Sequence, residues 1–105
     1  MIKVVAITTL KPGSDPAEVE RLWREVHVPR VRQYLVPELK RYVFDTVVSS
    51  IGEASVYFGM PELYFEDEES AQRAFARLMK DGPDAFQQSV NVIARLIVEE
   101  REMEL

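Results

Sequence analysis

Residues 2–18 read IKVVAITTLKPGSDPAE. The part that ends at Leu10 is rich in β-branched residues and predicts a strand. The KPG triplet at 11–13 is a turn signal. Asp15 is suited to cap a helix, because its carboxylate can accept a backbone N–H, and Pro16 is suited to the first helical position. The stretch therefore predicts a strand, a turn and a helix in direct succession.

Similar signals recur along the rest of the chain. Apolar residues at helical spacing extend the first helix to Pro37. Pro29 lies inside this helix. It has no N–H to donate to the carbonyl of Glu25, and it is expected to push Val28 away from helical geometry, which predicts a kink or a break there. Asp67 is placed to cap a second helix that stops near Gly82. The predicted strands are at 2–10, 39–50, 57–65 and 93–100, with a short helical turn around 85–90 before the last.

The order of these elements is strand, helix, strand, strand, helix, strand. It predicts an α+β fold of the ferredoxin-like βαββαβ kind, in which both helices cover one face of an antiparallel four-stranded sheet. A chain of 105 residues has room for one core, so a single domain over residues 1–105 is expected.

Composition argues against several classes of function. The formal net charge is −5 and the basic residues are interspersed with acids, so neither a nucleic acid nor a membrane partner is expected. The chain has no cysteine, which excludes disulfides and thiol chemistry and fits a cytoplasmic location. With one histidine and no phosphate-binding glycine loop, neither a metal nor a cofactor is expected. The apolar run at 4–10 is too short to span a membrane.

The predicted strands are apolar on both faces. In the second strand, one face carries Val43, Asp45 and Val47, and the other carries Tyr42, Phe44, Thr46 and Val48. A sheet with water on one side normally alternates apolar and polar residues. Because the chain supplies no third layer, the second face is expected to be covered by another copy, in a homodimer.

The motif Trp23-x-x-x-His27-x-Pro29, after the KPG triplet, resembles the signature of the EthD-like family in the dimeric α+β barrel superfamily. The segment GMPELYFED at 59–67 is similar to that family's third strand, and the resemblance spans essentially the whole chain. It implies a dimer whose two sheets close into a barrel, with a cleft between sheet and helices in each subunit. Relatives in the superfamily include cofactor-free lactone isomerases, polyketide cyclases and dehydratases, and more distantly quinone-forming monooxygenases and haem-binding enzymes.

His27 is the first candidate catalytic residue. It follows Trp23 by four residues and so projects from the semi-buried face of the helix. Its imidazole can exchange a proton near neutral pH, as isomerisation, cyclisation and dehydration of small carbonyl compounds require. The alternative interpretation is a core histidine that is hydrogen-bonded to a backbone carbonyl.

Glu62 is the second candidate, because it is a carboxylate in an otherwise apolar strand. A buried charge is costly unless it is paired or functional. The family position implies that Glu62 approaches His27 and orients its imidazole. The alternative is a structural salt bridge to Arg41 or Arg95, and for Asp45 a structural role is the favoured interpretation.

Aromatic side chains are candidates for lining a ligand pocket. Trp23, Tyr42, Phe44 and Tyr64 are the predicted ligand-binding residues, because their rings suit a flat molecule and the tyrosine hydroxyls can orient it. Most aromatics at strand and helix spacing are simply part of the core, which is the alternative for each of them.

Three functions are compatible with these residues. The leading hypothesis is a cofactor-independent isomerase, cyclase or dehydratase that acts on a small aromatic or lactone-like metabolite, with His27 as the acid and base. The second is a non-catalytic protein that binds such a molecule as an accessory of a degradation pathway. A cofactor-free or haem-dependent oxidoreductase, with His27 as axial ligand in the haem case, ranks last.

Overall fold

The chain alternates strands and helices in the predicted order. A computed structural model describes residues 1–52 and 57–105. The strands are β1 (Ile2–Leu10), β2 (Arg41–Thr46), β3 (Tyr57–Phe65) and β4 (Val90–Val98). The α-helices are α1 (Pro16–Leu22), α2 (Val28–Leu35) and α3 (Glu68–Met79), with a π turn at Trp23–His27 and a 3-10 turn at Gln87–Ser89. Residues 53–56, in the loop predicted around Gly52, lie outside the described residues.

The four strands form one antiparallel sheet in the order β2-β3-β1-β4. On one face, Val4 of β1 lies opposite Leu63 of β3, and Leu63 lies opposite Tyr42 of β2. On the other face, Glu62 lies opposite both Val5 and Val43. The prediction of an α+β, ferredoxin-like fold is confirmed.

The helices bury the core against one face of this sheet. The larger cluster joins α2 and α3 to β1 and β3 and consists of Val4, Val31, Leu35, Leu63, Phe65, Ala71, Ala74 and Leu78. The smaller cluster, under α1, is built on Val19, Phe86 and Val90, with Leu10, Leu22, Trp23, Phe44 and Phe58 packed against it. Half of the eight residues of the smaller cluster are aromatic, whereas the buried residues of the larger cluster are aliphatic apart from Phe65.

Both predicted helix starts have their expected caps. The Asp15 carboxylate accepts the Ala17 N–H at 3.3 Å, and the Asp67 carboxylate accepts the Ser70 N–H at 2.8 Å. β4 begins at Val90 instead of residue 93, because Val90 pairs with Leu10 and is buried, so the predicted helical turn around it is shorter than expected.

The helix runs through Pro29 instead of breaking. Val28 keeps helical dihedrals (φ −59°, ψ −47°), so the expectation that Pro29 would push it out of helical geometry is wrong. The Val28 N–H donates to the Trp23 carbonyl five residues earlier, which is the hydrogen bond of a π turn. Because Pro29 has no N–H for the carbonyl of Glu25, the helix accommodates the proline by widening the turn that precedes it.

The face of the sheet away from the helices, called here the open face, is largely apolar, with Asp45 on β2 and a charged group at one end. Its apolar side chains are Val5, Ile7, Val43, Met60, Leu96 and Val98. At the end of this face, Lys3 forms ion pairs with Glu62 and Glu100. Within residues 1–52 and 57–105, no helix has the length and hydropathy needed to cross a membrane.

Gly59 leaves room for the ring of Phe44 on the neighbouring strand. A Cβ added at Gly59 would lie 2.5 Å from Phe44 Cζ and 3.0 Å from the backbone oxygen of Asp45. Gly59→Ala is therefore expected to displace the ring and lower the free energy of unfolding by about 1–3 kcal/mol. Urea denaturation measures this loss. In a Phe44→Leu background the same change is expected to cost less, and an equal cost in both backgrounds would contradict the assignment.

Arg77 of α3 holds the segment that follows α2. It donates to the two carboxylate oxygens of Glu38 at 2.5 and 2.9 Å and to the Tyr34 carbonyl at 2.8 Å. These hydrogen bonds from Arg77 lower the pKa of Glu38 from 4.5 to about 2.

Because Glu38 has a lowered pKa in the folded state, its stabilisation is present above the unfolded pKa of about 4.3 and is lost as the pH falls towards 2. The midpoint of urea denaturation is expected to fall over this pH range more steeply for the parent chain than for Glu38→Gln. Parallel pH profiles for the two chains would show that the ion pair does not stabilise the fold.

Candidate functional site

The histidine of the helix motif pairs with an aspartate from the other end of the chain. His27 Nδ1 lies 2.6 Å from Asp84 Oδ2. The His27 side chain is 13% exposed and that of Asp84 is 7% exposed. The π turn ends at His27, and Asp84 lies in the loop between α3 and β4, so the pair joins the first helical segment to that loop.

A turn and an arginine hold Asp84 in place. Asp84 Oδ1 accepts the Gln87 N–H at 2.8 Å, and Gln87 Oε1 accepts the Asp84 N–H at 2.9 Å, which is the reciprocal arrangement of a capping box. Arg30 donates from Nη1 to Asp84 Oδ2 at 3.3 Å and to Gln87 Oε1 at 2.8 Å. Arg30 also donates to the carbonyl oxygens of Leu78 and Gly82. The carboxylate that faces His27 is therefore fixed from two sides.

Asp84 is ionised in this setting. Burial opposes ionisation, but the hydrogen bonds from His27 and from the Gln87 N–H outweigh it and hold the pKa of Asp84 below its usual value. An ionised carboxylate can only accept, so His27 Nδ1 carries a proton, and the neutral form of the imidazole has the Nδ1–H tautomer. Nε2 is then the atom with a free lone pair, and within the described part of the chain no hydrogen-bond partner occupies it.

Aromatic rings surround the helix side of the pair. The ring centroid of Phe86 lies 4.8 Å from that of His27 and 6.3 Å from that of Phe58. The ring centroid of Phe44 lies 5.9 Å from that of Phe58 and 4.4 Å from that of Trp23. The rings form a continuous chain of contacts from the histidine to the first helix.

The far end of this aromatic chain lines a cavity of about 520 Å³ between α1 and the β2–β3 end of the sheet. Its lining residues are Leu10, Pro16, Ala17, Glu20, Trp23, Phe44, Thr46, Val47, Tyr57 and Phe58. His27 does not line this cavity directly. Phe58 and Phe86 connect the cavity to the imidazole, so a ligand seated in it is one layer of rings away from Nε2.

Four of the predicted site residues lie together. Trp23 and Phe44 line the cavity, and Trp23 Nε1 donates to the Tyr42 hydroxyl at 3.2 Å. His27 lies at the end of the same π turn as Trp23. The π turn and the helix-facing side of β2 therefore bring His27, Trp23, Tyr42 and Phe44 to one side of the sheet.

Glu62 and Tyr64 lie on the open face, away from His27. Glu62 forms an ion pair with Lys3, and a hydrogen bond from Asp45 together with that ion pair lowers the pKa of Glu62. Its expected pairing with His27 is wrong, because strand alternation buries the flanking Leu63 under the helices and turns Glu62 to the other face. The alternative partners Arg41 and Arg95 are also wrong, since the ion pair is with Lys3.

Tyr64 lies on the open face beside Glu62 and Lys3. Its hydroxyl donates to Glu100 Oε2 at 2.9 Å, and its ring lies under the cations of Lys3 and Arg41, with centroid distances of 5.5 and 5.0 Å. Neither Glu62 nor Tyr64 contacts the aromatic cavity.

Sequence reasoning missed Asp84 and Arg30. Asp84 follows Pro83 in a loop, where an acid is unremarkable, and it is 57 residues from His27 in the sequence. The segment DAFQ at 84–87 has the spacing of a capping box, and this signal could have indicated a fixed carboxylate. Its partner could not have been deduced from spacing. Among the described residues there is no group of three or more side chains suited to hold a metal ion.

Solved structures of similar fold come from bacteria and a plant. An EthD family protein from Bacillus halodurans C-125 is 24% identical, with a TM-score of 0.72 over 96% of this chain and 99% of that chain. The Arabidopsis thaliana protein At3g17210 is 19% identical, with a TM-score of 0.69 over 100% of this chain and 98% of that chain. HapK from Hahella chejuensis is 17% identical, with a TM-score of 0.63 over 100% and 97%. At these identities the similarity shows the shared fold alone.

The sequence itself gives the family. A search of curated proteins found no match. The family model described as the EthD domain matches residues 11–88, which include the helix motif, the third strand and Asp84. The chain therefore belongs to the EthD family.

Proposed function

We propose that this protein catalyses a cofactor-independent proton transfer on a small aromatic or lactone-like molecule. The observation that carries the proposal is the hydrogen bond of 2.6 Å between His27 Nδ1 and an ionised, fixed Asp84. It fixes the proton on Nδ1, so that Nε2 can act as the base, and it stabilises the imidazolium once a proton has been taken.

The proposed reaction needs one acid–base group. The reaction requires the rings of Phe58 and Phe86 to move apart, because they separate the cavity from the imidazole. His27 Nε2 then removes a proton from the carbon beside a carbonyl, and the electrons of the C–H bond form an enolate. The imidazolium then returns the same proton to a different carbon, or to a leaving hydroxyl, which gives isomerisation or dehydration. Asp84 keeps the ring oriented through both steps, because it is itself held by Arg30 and Gln87.

The cavity supports an uncharged, largely apolar substrate. Its volume of about 520 Å³ lies within the usual range for small-molecule sites, and most of its lining is aliphatic or aromatic. Glu20 is the one charged side chain among the described residues that line it. A negative charge at the wall disfavours anionic ligands, which favours a neutral ring compound over a phosphate or a dicarboxylate.

A second candidate function is binding without turnover. The observation that favours it is that His27 lies one layer of aromatic rings behind the cavity lining. For a carrier, the His27–Asp84 pair would only join the first helical segment to the loop between α3 and β4. The two functions differ in whether loss of His27 abolishes chemistry or only changes affinity.

We also propose that the open face packs against a second copy in a homodimer. Each of the four strands presents apolar side chains on this face, and of the charged groups there, Glu62 and Glu100 are paired with Lys3. A two-fold dimer would bury the face against itself, because the same apolar patch is then presented by both partners.

The acid–base proposal predicts that the chain isomerises a neutral butenolide such as α-angelica lactone. His27→Ala is expected to abolish the exchange of the lactone's ring protons with D2O. Asp84→Asn is expected to reduce the rate of this exchange about 100-fold, because the imidazole loses its fixed tautomer. Proton NMR in D2O follows this exchange.

The ¹⁵N shifts of the single histidine provide the control, because they report the tautomer directly. They are expected to show Nδ1 protonated in the parent chain and a mixture in Asp84→Asn. Turnover that survives in His27→Ala would overturn the catalytic proposal. Binding without exchange in the parent chain would support the carrier.

The dimer proposal predicts that light scattering after size-exclusion chromatography gives twice the chain mass of 12.1 kDa. Ile7→Lys places a charge in the centre of the open face and is expected to give the monomer mass while the far-UV circular dichroism stays unchanged. Val26→Lys, at an exposed position of the π turn, is the matched control and is expected to remain dimeric. A monomeric parent chain would contradict the proposal.

A further inference from the structure

We propose that the open face couples dimerisation to pH. Asp45 and Glu62 share one proton when two copies pack together, so the dimer binds more protons than two separate chains do. The inference rests on the homodimer proposed above and adds a control of its formation. It involves neither the aromatic cavity nor the His27–Asp84 pair.

Charged side chains from three neighbouring strands form a row across the open face. Asp45 of β2 and Glu62 of β3 lie on the same side of the sheet, and the strand register makes them diagonal neighbours. Lys3 of β1 is the diagonal neighbour of Glu62 on its other side and forms an ion pair with it. Glu100, after the end of β4, extends the row, with Oε2 at 2.9 Å from Lys3 Nζ.

The charges that meet in this row do not balance. In residues 1–52 and 57–105 the row and its border hold three carboxylates and two cations, namely Asp45, Glu62, Glu100, Lys3 and Arg41. Arg41 lies at the border, with Cζ 5.0 Å from the centroid of the Tyr64 ring. The Tyr64 hydroxyl stays protonated, because its hydrogen bond to Glu100 raises the pKa of the phenol. One negative charge is left over, and because Lys3 pairs with the other two carboxylates, it falls on Asp45.

The two adjacent carboxyl groups can remove this charge by holding a proton between them. The side chains of Lys3 and Glu62 are only 16% and 14% exposed in the single chain, so water screens the row poorly. The hydrogen bond between the two carboxyl groups raises the pKa of Asp45 and lowers that of Glu62. The shared proton therefore resides on Asp45, which donates it to the Glu62 carboxylate.

A second copy on the open face favours the protonated form of Asp45 further. Packing in a two-fold dimer removes water from the face and brings up the same surplus charge from the partner. An ionised carboxylate without a cation is costly to bury, so the pKa of Asp45 is higher in the dimer than in the separate chain. A group of this kind stabilises the dimer fully below its pKa in the separate chain, and the stabilisation is lost as the pH rises through its pKa in the dimer. Dimerisation is therefore expected to strengthen as the pH falls.

The dimer dissociation constant tests this linkage directly. Sedimentation velocity of an N-terminally labelled chain, diluted to nanomolar concentrations, measures it between about pH 8 and about pH 5.5. This range lies above the titration of Glu38 in the unfolded chain, at about 4.3, so the fold itself stays stable. The dissociation constant of the parent chain is expected to fall at least about 10-fold across the range, since each proton taken up changes it by up to about 10-fold per pH unit.

Two variants locate the linkage. Asp45→Asn keeps a hydrogen-bond donor to Glu62 but carries no charge, and is expected to give a tight dimer whose dissociation constant does not vary with pH. Glu62→Gln is expected to remove the pH dependence as well, because two carboxylates then face two cations. Asp15→Asn is the matched control: asparagine also caps a helix, and Asp15 lies at the start of α1, so its pH dependence is expected to equal that of the parent.

The ¹³C shift of the Asp45 carboxyl group gives a second measurement, which does not need the dimer to dissociate. In the dimer this group is expected to titrate well above the ordinary pKa of an aspartate, about 3.9. A titration at the ordinary value, or a dissociation constant of the parent that does not vary with pH, would overturn the linkage and leave the dimer intact. An unchanged pH dependence in Asp45→Asn would overturn the role of the carboxyl pair. A parent chain that is monomeric at every pH would overturn the dimer together with its control.

Discussion

The missing N–H of Pro29 determines how the first helical segment passes beneath the sheet. The carbonyl of Glu25 has no N–H to accept from Pro29, and the helix responds with a π turn over Trp23–His27 while its dihedrals stay helical. A wider turn rotates the residues before it relative to those after it. Trp23 is thereby set against Phe44 and Tyr42 of the second strand, while His27 reaches the loop before the last strand. Without this turn, the two residues would occupy the ordinary i, i+4 relation of a single helical face.

Arg30 follows immediately and stabilises the same region by different means. It is 12% exposed and joins α2 to the end of α3 through backbone carbonyls and through Asp84. A buried charge of this kind is tolerated because almost every donor of the guanidinium has a partner. The site is therefore supported by a network of directional bonds, in contrast to the larger cluster beside it, which consists of packed apolar side chains.

Much of the fold could be predicted from the sequence, because each element carries local signals. Runs of β-branched residues predict the strands. Asp15 and Asp67 mark the helix starts that they cap, and Gly82, with a φ of +73°, marks the end of the last helix. The candidate site was predictable where residues share one face of an element, as Tyr42 and Phe44 do on β2. It was not predictable where a partner comes from a distant segment. The Lys3–Glu62 and His27–Asp84 pairs join residues 59 and 57 positions apart, and only the strand register and the docking of the last loop decide them.

The close approach of Phe44 to Gly59 separates two properties of the pocket. The size of the cavity depends on a ring that rests against bare backbone, whereas the histidine depends on Asp84, Arg30 and Gln87 at the opposite end of the aromatic chain. Changes at positions 44 and 59 can therefore reshape the space for a ligand while leaving the imidazole in place. Related proteins with this arrangement can therefore change the ligand that they accept through substitutions at positions 44 and 59, while the His27–Asp84 pair is retained.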